Sequence, residues 1–267
     1  MSSLVSRALM QPPEEGYNFA DLISEGFRPI RSKRRPTHWL FSRNRPKGVI
    51  LYFHGNAETA FDSMSLVDDY PELGRWSIVL AEYRGYAKPA DSLCQSQDEL
   101  IDDAVHLFRQ VKRVVKGSSD KSSVPIVVWG RSLGGSIAAQ LAAAVEVDGL
   151  IIESSFCSLL DAVKSIMPIV PRTLAKLALT SFPLDTKKAV SRISAPVLIA
   201  HSRSDELFPI QHAERIFEAT VGPKVMHRFR GSHNHDKSGQ TSFRRAVRSL
   251  CNSAEAHCLV CARLKVC

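Results

Sequence analysis

The chain has 267 residues, 44% of them hydrophobic and 23% charged, with a formal net charge of +8. That length carries one large domain with a two-faced core, and the composition excludes a disordered or low-complexity chain. No run reaches the roughly 18 apolar residues that a membrane span needs.

The start, MSSLVSRALMQPPEEGY, has a short apolar patch followed by Pro and Glu, which makes a poor signal peptide. Ser2 in place of Gly excludes the usual N-myristoylation motif. Six cysteines without a secretory signal point to free thiols in a reducing compartment, so a cytoplasmic address is expected. Residues 1–47 read as an N-terminal extension with a basic edge segment. Between 28 and 47 there are eight basic residues and no Asp or Glu: Arg28, Arg31, Lys33, Arg34, Arg35, Arg43, Arg45 and Lys47. No helix-turn-helix, RNP or finger pattern accompanies them, so nucleic acid is not an expected partner. Two readings stay open: a solvated pair of edge strands, or a patch drawn to an anionic membrane surface, which would make the protein peripheral to a membrane.

From residue 48 to 250 apolar runs alternate with helical patterns. Val49–Phe53, Ser77–Ala81, Pro125–Trp129, Gly149–Ile152 and Pro196–Ala200 are continuous apolar runs, the look of parallel strands covered on both faces. Gln97–Val115 repeats apolar residues at three- and four-residue spacing, and Ser136–Val145, Ala213–Ala219 and Ser242–Leu250 also read as helices. The alternation predicts an α/β fold with a mostly parallel sheet covered by helices on both faces, its ligand site beyond the carboxyl ends of the strands. Residues 156–183 break the rhythm with three prolines and ten large aliphatic or thioether side chains. They read either as a small apolar cap lined for an acyl chain or as a crossover helix with a packing turn.

The stretch VVWGRSLGGS sets Ser132 between Gly130 and Gly134, where a strand hands over to a helix. G-x-S-x-G in that context is a nucleophile elbow: a corner so tight that side chains flanking the serine would collide, with a helix N-terminus behind the hydroxyl. A serine needs a base, and the base an orienting acid, each just past a strand end in the order Ser, Asp/Glu, His. Asp205, with Glu206 as its neighbouring alternative, follows the fifth apolar run. His233 follows Gly231-Ser232 after KVMHRFR, with His235 the runner-up and His227 a structural residue of the strand. Two backbone donors are expected to form the oxyanion hole, the N–H of Asn56 in LYFHGNAET and that of Leu133 directly after the serine. Glu58 is expected to cap the helix that follows. The HGN segment lacks metal-ligand partners at suitable spacing, and neither a metal nor a cofactor is called for.

The segments LYFHGNAE, EYRGYA, GRSLGGS, ESSFCSLLD, APVLIAHSRSDELFP and GSHNHD occur in the order found in the α/β-hydrolase superfamily. The chain most resembles the branch of small serine hydrolases that holds the bud-emergence-homologue and α/β-hydrolase-domain proteins, often termed serine aminopeptidase-like. The resemblance covers about residues 47–250 and implies Ser132 as nucleophile, Asp205 as acid and His233 as base. Some members of the branch remove S-palmitoyl groups from membrane-bound proteins, which implies an acyl ester or thioester substrate. The chain departs from the pattern twice. Tyr86-Ala87-Lys88-Pro89-Ala90 stands where Y-R-G-Y-G and a Ser/Gly-rich turn are usual, and one residue is inserted before Asp236 in the family's G-x-H-N-D.

Residues 251–267 read as a Cys-rich tail with Cys251, Cys258, Cys261 and Cys267. Cys258-x-x-Cys261 beside His257 lacks a second such pair at finger spacing. Lipidation of Cys258, Cys261 or Cys267 would add a membrane signal, whereas terminal Cys267 excludes a prenylation box. The plainer reading is an exposed helical tail with incidental thiols. The whole predicts a serine hydrolase that cleaves an acyl ester or thioester through an acyl-enzyme. The alternatives are a non-catalytic module that binds lipid or protein, and a serine peptidase.

Overall fold

The computed structural model describes residues 9–33, 35–87, 93–117, 124–235 and 239–264. Arg34 of the basic run, residues 88–90 after Ala87, Asp236 and Cys267 lie outside the described residues.

Eight strands form one sheet: β1 (Arg28–Ile30), β2 (His38–Phe41), β3 (Gly48–Phe53), β4 (Trp76–Leu80), β5 (Ile126–Arg131), β6 (Gly149–Glu153), β7 (Val197–Ser202) and β8 (Lys224–Phe229). Their order is β1-β2-β4-β3-β5-β6-β7-β8. Strands β3 to β8 run parallel, and β2 is antiparallel to both its neighbours, β1 and β4. The continuous apolar runs are explained by burial on both faces. Val49, Leu51 and Phe53 of β3 join the core under α3 (Gln97–Gly117) and α4 (Leu133–Ala144). Ile50 and Tyr52 point the other way, toward α1 (Phe19–Ser24), α2 (Leu66–Asp69) and α9 (Thr241–Leu264). The chain is thus an α/β-hydrolase fold, with α7 (Thr186–Val190) and α8 (Gln211–Ala219) completing the α3/α4 layer.

Residues 156–183 form two short helices, α5 (Leu159–Ile166) and α6 (Arg172–Ala178). Ser158 caps α5 by accepting from the Asp161 N–H at 3.1 Å, and Pro168 and Pro171 prevent one continuous helix. Leu159, Ala162, Ala175, Leu179 and Phe182 are buried beneath, but Ile166, Met167, Ile169, Leu174 and Leu177 are exposed. Much of the apolar surface expected to line a site or pack inward therefore faces solvent.

The C-terminal segment differs from expectation. α9 runs unbroken from Thr241 to Leu264, across the expected boundary at 250. Phe243, Val247, Leu250, Cys251, Ala254 and Cys258 are buried as one stripe, so residues 251–258 continue a core helix and are not an exposed tail. The buried Cys258 is no candidate for lipidation, and the Cys251 thiol is pushed up by burial. The basic run also divides. It builds β1 and β2, but Trp39 pairs with Leu80 and Phe41 with Ile78, which sends Arg43 and Arg45 to the end of the sheet opposite Arg35. Arg35 is paired with Asp102 at 2.8 Å and with Asp103. The run is not one cationic surface.

Candidate active site

Ser132 sits where β5 ends and α4 begins, with φ 54° and ψ −119°. That strained backbone costs on the order of 1–3 kcal/mol and persists because its surroundings leave no alternative. A side chain at Gly130 would run into the Gly134 carbonyl, and one at Gly134 into the carbonyl oxygens of Phe53 and His54. The corner is pinned from β6: the Ser132 N–H donates to the Glu153 carbonyl at 2.8 Å, and the Ser155 hydroxyl donates to the Ser132 carbonyl at 2.7 Å. Sequence placed the helix start at residue 136; it begins at Leu133 because the elbow turns directly into helix.

The loops after β7 and β8 bring the other two expected residues to this corner. His233 Nδ1 lies 2.8 Å from Asp205 Oδ2, and its Nε2 lies 3.0 Å from Ser132 Oγ. A carboxylate accepts, so the ring proton rests on Nδ1 and Nε2 is left to accept from the serine hydroxyl. Burial pushes the Asp205 carboxyl up, but hydrogen bonds from His233 and the Phe208 N–H, with the charges of His233 and His201, hold it below the ordinary value. The two alternatives are placed elsewhere. Glu206 accepts from the His233 N–H at 2.9 Å and so braces the loop, while His235 is exposed and stacked against the Gly231 backbone. His227, in β8, packs on Phe229 and on Phe243 of α9, and burial lowers its basicity.

The loop after β3 passes close by, since a Cβ on Gly55 would stand 3.5 Å from the Ser132 Cβ. The Asn56 side chain is tied away from the serine: Oδ1 accepts from the Tyr86 hydroxyl at 2.6 Å and the Gln11 N–H at 3.0 Å, and Nδ2 donates to the Leu9 carbonyl at 2.9 Å. Glu58 does not cap a helix. Its Oε2 accepts from the Gly55 N–H at 2.8 Å and its Oε1 from Arg131 Nη1 at 2.9 Å. Arg131 Nη2 reaches on to Asn234 Oδ1 at 3.1 Å. One guanidinium thus joins the β3 loop, the elbow and the histidine loop. Below them lies the buried pair His54–Glu82 (3.0 Å), whose carboxylate also accepts from the N–H groups of Ala60 and Tyr83, at 3.0 Å each. Neither the Arg131–Glu58 clasp nor the His54–Glu82 pair was read from the sequence. Glu82 begins the quoted EYRGYA segment, but nothing local tells that it meets a residue of another strand end.

A Cys/His grouping stands at the root of the 156–183 segment. His212 Nδ1 accepts from the Cys157 N–H at 3.2 Å, and its Nε2–H donates to Ser165 Oγ at 3.0 Å. The ring therefore presents its proton to Ser165 and is no base toward it. Burial and Asp161 push the Cys157 thiol up, and burial lowers His212 to about 4, so neither is charged at neutral pH. The grouping is a strut that ties α5 to α8. Ring contacts continue it to the site: Phe156 meets Phe208 at 5.4 Å, and Phe208 meets His233 at 5.1 Å.

The family model described as serine aminopeptidase, S33, matches residues 44–184. The lysophosphatidylserine lipase ABHD12 of Danio rerio is 27% identical over 236 residues, covering 80% of this chain and 58% of that protein. The α/β-hydrolase domain-containing protein WAV2 of Arabidopsis thaliana is 29% identical over 180 residues, 63% of this chain and 56% of its own. The chain spans less than two thirds of the length of these relatives. The Pyrococcus furiosus esterase Pf2001 superposes with a TM-score of 0.69 at 15% identity, covering 92% of this chain and 97% of its own. Est1E from Butyrivibrio proteoclasticus does so with a TM-score of 0.63 at 14% identity, covering 86% of this chain and 99% of its own. At such identities the solved structures speak for the fold alone. With more than half of its residues matched by the family model, the chain belongs to the serine aminopeptidase (S33)-like family of the α/β-hydrolase superfamily.

Proposed function

We propose that this protein is a serine hydrolase of acyl esters or thioesters, with Ser132 as nucleophile, His233 as general base and acid, and Asp205 as the acid that orients it. The observation that carries the reading is the unbroken line from Asp205 Oδ2 through the His233 ring to Ser132 Oγ, at 2.8 and 3.0 Å, ending on a strained elbow. Ser132 Oγ attacks the substrate carbonyl while Nε2 takes its proton. The Asn56 and Leu133 N–H groups receive the oxyanion at the start of α4. The imidazolium, stabilised by Asp205, returns the proton to the leaving alcohol or thiol, and water then releases the acid by the same steps. The lipase name of one relative supports an acyl substrate of lipid type. S-acylated protein is included through the thioester chemistry.

The test is hydrolysis of p-nitrophenyl esters from acetyl to palmitoyl, together with labelling by a fluorophosphonate. Ser132→Ala is expected to abolish labelling and to reduce turnover by about 10⁶-fold, as loss of such a nucleophile does. Wild-type protein that neither labels nor turns over any ester would leave the fold as a non-catalytic binding module.

A further inference from the structure

We propose that the α5–α6 turn of the cap is a docking surface for an anionic lipid bilayer. Five large aliphatic or thioether side chains between residues 166 and 177 are exposed, among them Ile169 at 95% and Leu177 at 73%. A clustered apolar exposure of this kind marks an interaction surface, whereas scattered exposed residues do not. The exposure is built in, because Lys164 Nζ donates to the Pro168 and Val170 carbonyls, the latter at 2.7 Å, and holds Ile169 at the apex between them.

Charge selects the occupant. Residues 162–184 contain Lys164, Arg172 and Lys176 and no Asp or Glu. Arg172 is paired with Asp161 at 3.1 Å and Lys164 is spent on closing the turn, which leaves Lys176 as the exposed cation beside the apolar apex. Beside α5 a cavity of about 320 Å³ is lined by Lys164, Ser165, Gln211, His212 and Arg215, with Asp161 as its single carboxylate. Lys164, Ser165 and His212 are bonded within the protein, so Gln211 and Arg215, the latter 3.9 Å from Asp161, are the groups this hollow turns to a phosphate-bearing headgroup whose chains lie in the bilayer. The turn also stands at the right end of the molecule. α5 follows β6 beyond its carboxyl end, and its root reaches His233 through Phe156 and Phe208. The basic run of 28–47 lacks this combination, being divided between the two ends of the sheet. Docking is independent of the chemistry proposed for Ser132.

Co-sedimentation with vesicles tests the proposal, using the Ser132→Ala chain so that no lipid is consumed and binding is read apart from hydrolysis. Binding is expected to phosphatidylcholine vesicles containing phosphatidylserine, and more weakly to phosphatidylcholine alone. Ile169→Asp with Leu177→Asp should lower partitioning by about tenfold or more, and Lys176→Gln by about fivefold. Arg43→Gln with Arg45→Gln should leave it unchanged. Circular dichroism checks each fold, and Ile169→Ser with Leu177→Ser replaces the Asp pair if that pair fails to fold. No sedimentation with anionic vesicles, undiminished binding by the cap variants, or loss of binding in the Arg43/Arg45 variant overturns the proposal. So does a solution dimer that the cap variants split, which would assign the surface to a second copy of the chain.

Discussion

At the elbow, backbone does most of the holding: two glycines with no room for a Cβ, the Glu153 carbonyl as acceptor, and a helix that starts at once, with the Ser155 hydroxyl just past β6 as the side-chain donor. The 156–183 segment, read as a cap, is held at its ends by backbone and across its helices by side chains. His212 ties down Cys157 and Ser165, Asp161 takes Arg172, and Lys164 closes the turn. The first arrangement fixes a single hydroxyl. The second leaves aliphatic side chains in water, which a fold selected for stability alone would bury. The difference teaches that the determinants of the proposed chemistry and those of the proposed docking lie in separate, adjoining parts of one end of the molecule, and can be altered separately.

The largest effect should come from the chemical side. Asp205→Asn keeps the size of the side chain but removes the acceptor that fixes the His233 tautomer. Turnover of a short p-nitrophenyl ester should fall by about 10⁴-fold, as in other triads of this kind. A fall of less than tenfold would mean that the Ser132–His233 pair works without its acid.

The strut between the two regions should respond to pH. His212 is lowered from 6.5 to about 4 by burial, so the unfolded chain takes up its proton before the folded one does. Stability from this residue is therefore present above pH 6.5 and is lost as pH falls toward 4, by about 3 kcal/mol in all. The buried His38, lowered to about 3, acts in the same direction. Thermal unfolding from pH 7 to 4 should show the decline, and His212→Asn, which keeps an acceptor for the Cys157 N–H, should flatten it. An unaltered profile would remove His212 as its source.

Within the elbow region, Glu58→Gln weakens the grip on Arg131 and on the Gly55 N–H. A displaced donor loop should lower kcat for a short ester by up to about 100-fold with little change in KM, because the loop acts on the transition state. A rise in KM alone would instead make Glu58 a substrate contact.

The smallest effect belongs to the cap apex. Ile169→Asp exchanges a side chain that is 95% exposed, so stability should move by no more than about 0.5 kcal/mol in urea unfolding. A larger loss would show that the apex packs on something in solution and would blur the distinction between the two regions.

Much of this was legible in the sequence because it is local. Apolar runs such as Val49–Phe53 announce strands buried on both faces, and Gly130 and Gly134 announce a corner that only glycine permits. The placing of Asp205 and His233 just past strand ends followed from chain order, since each parallel strand delivers its next loop to the same end of the sheet. What the tertiary structure alone decided depends on partners far apart in the chain. It sets His233 rather than His235 beside Ser132, and Asp205 rather than Glu206 against the His233 ring, turns Glu58 from a cap into the partner of Arg131, and divides the basic run between two ends of a sheet. It also carries α9 past residue 250 and leaves Ile169 and Leu177 in solvent. Hydrophobic periodicity tells that a face is apolar, but which neighbour covers it, if any, is settled only when the whole chain has packed.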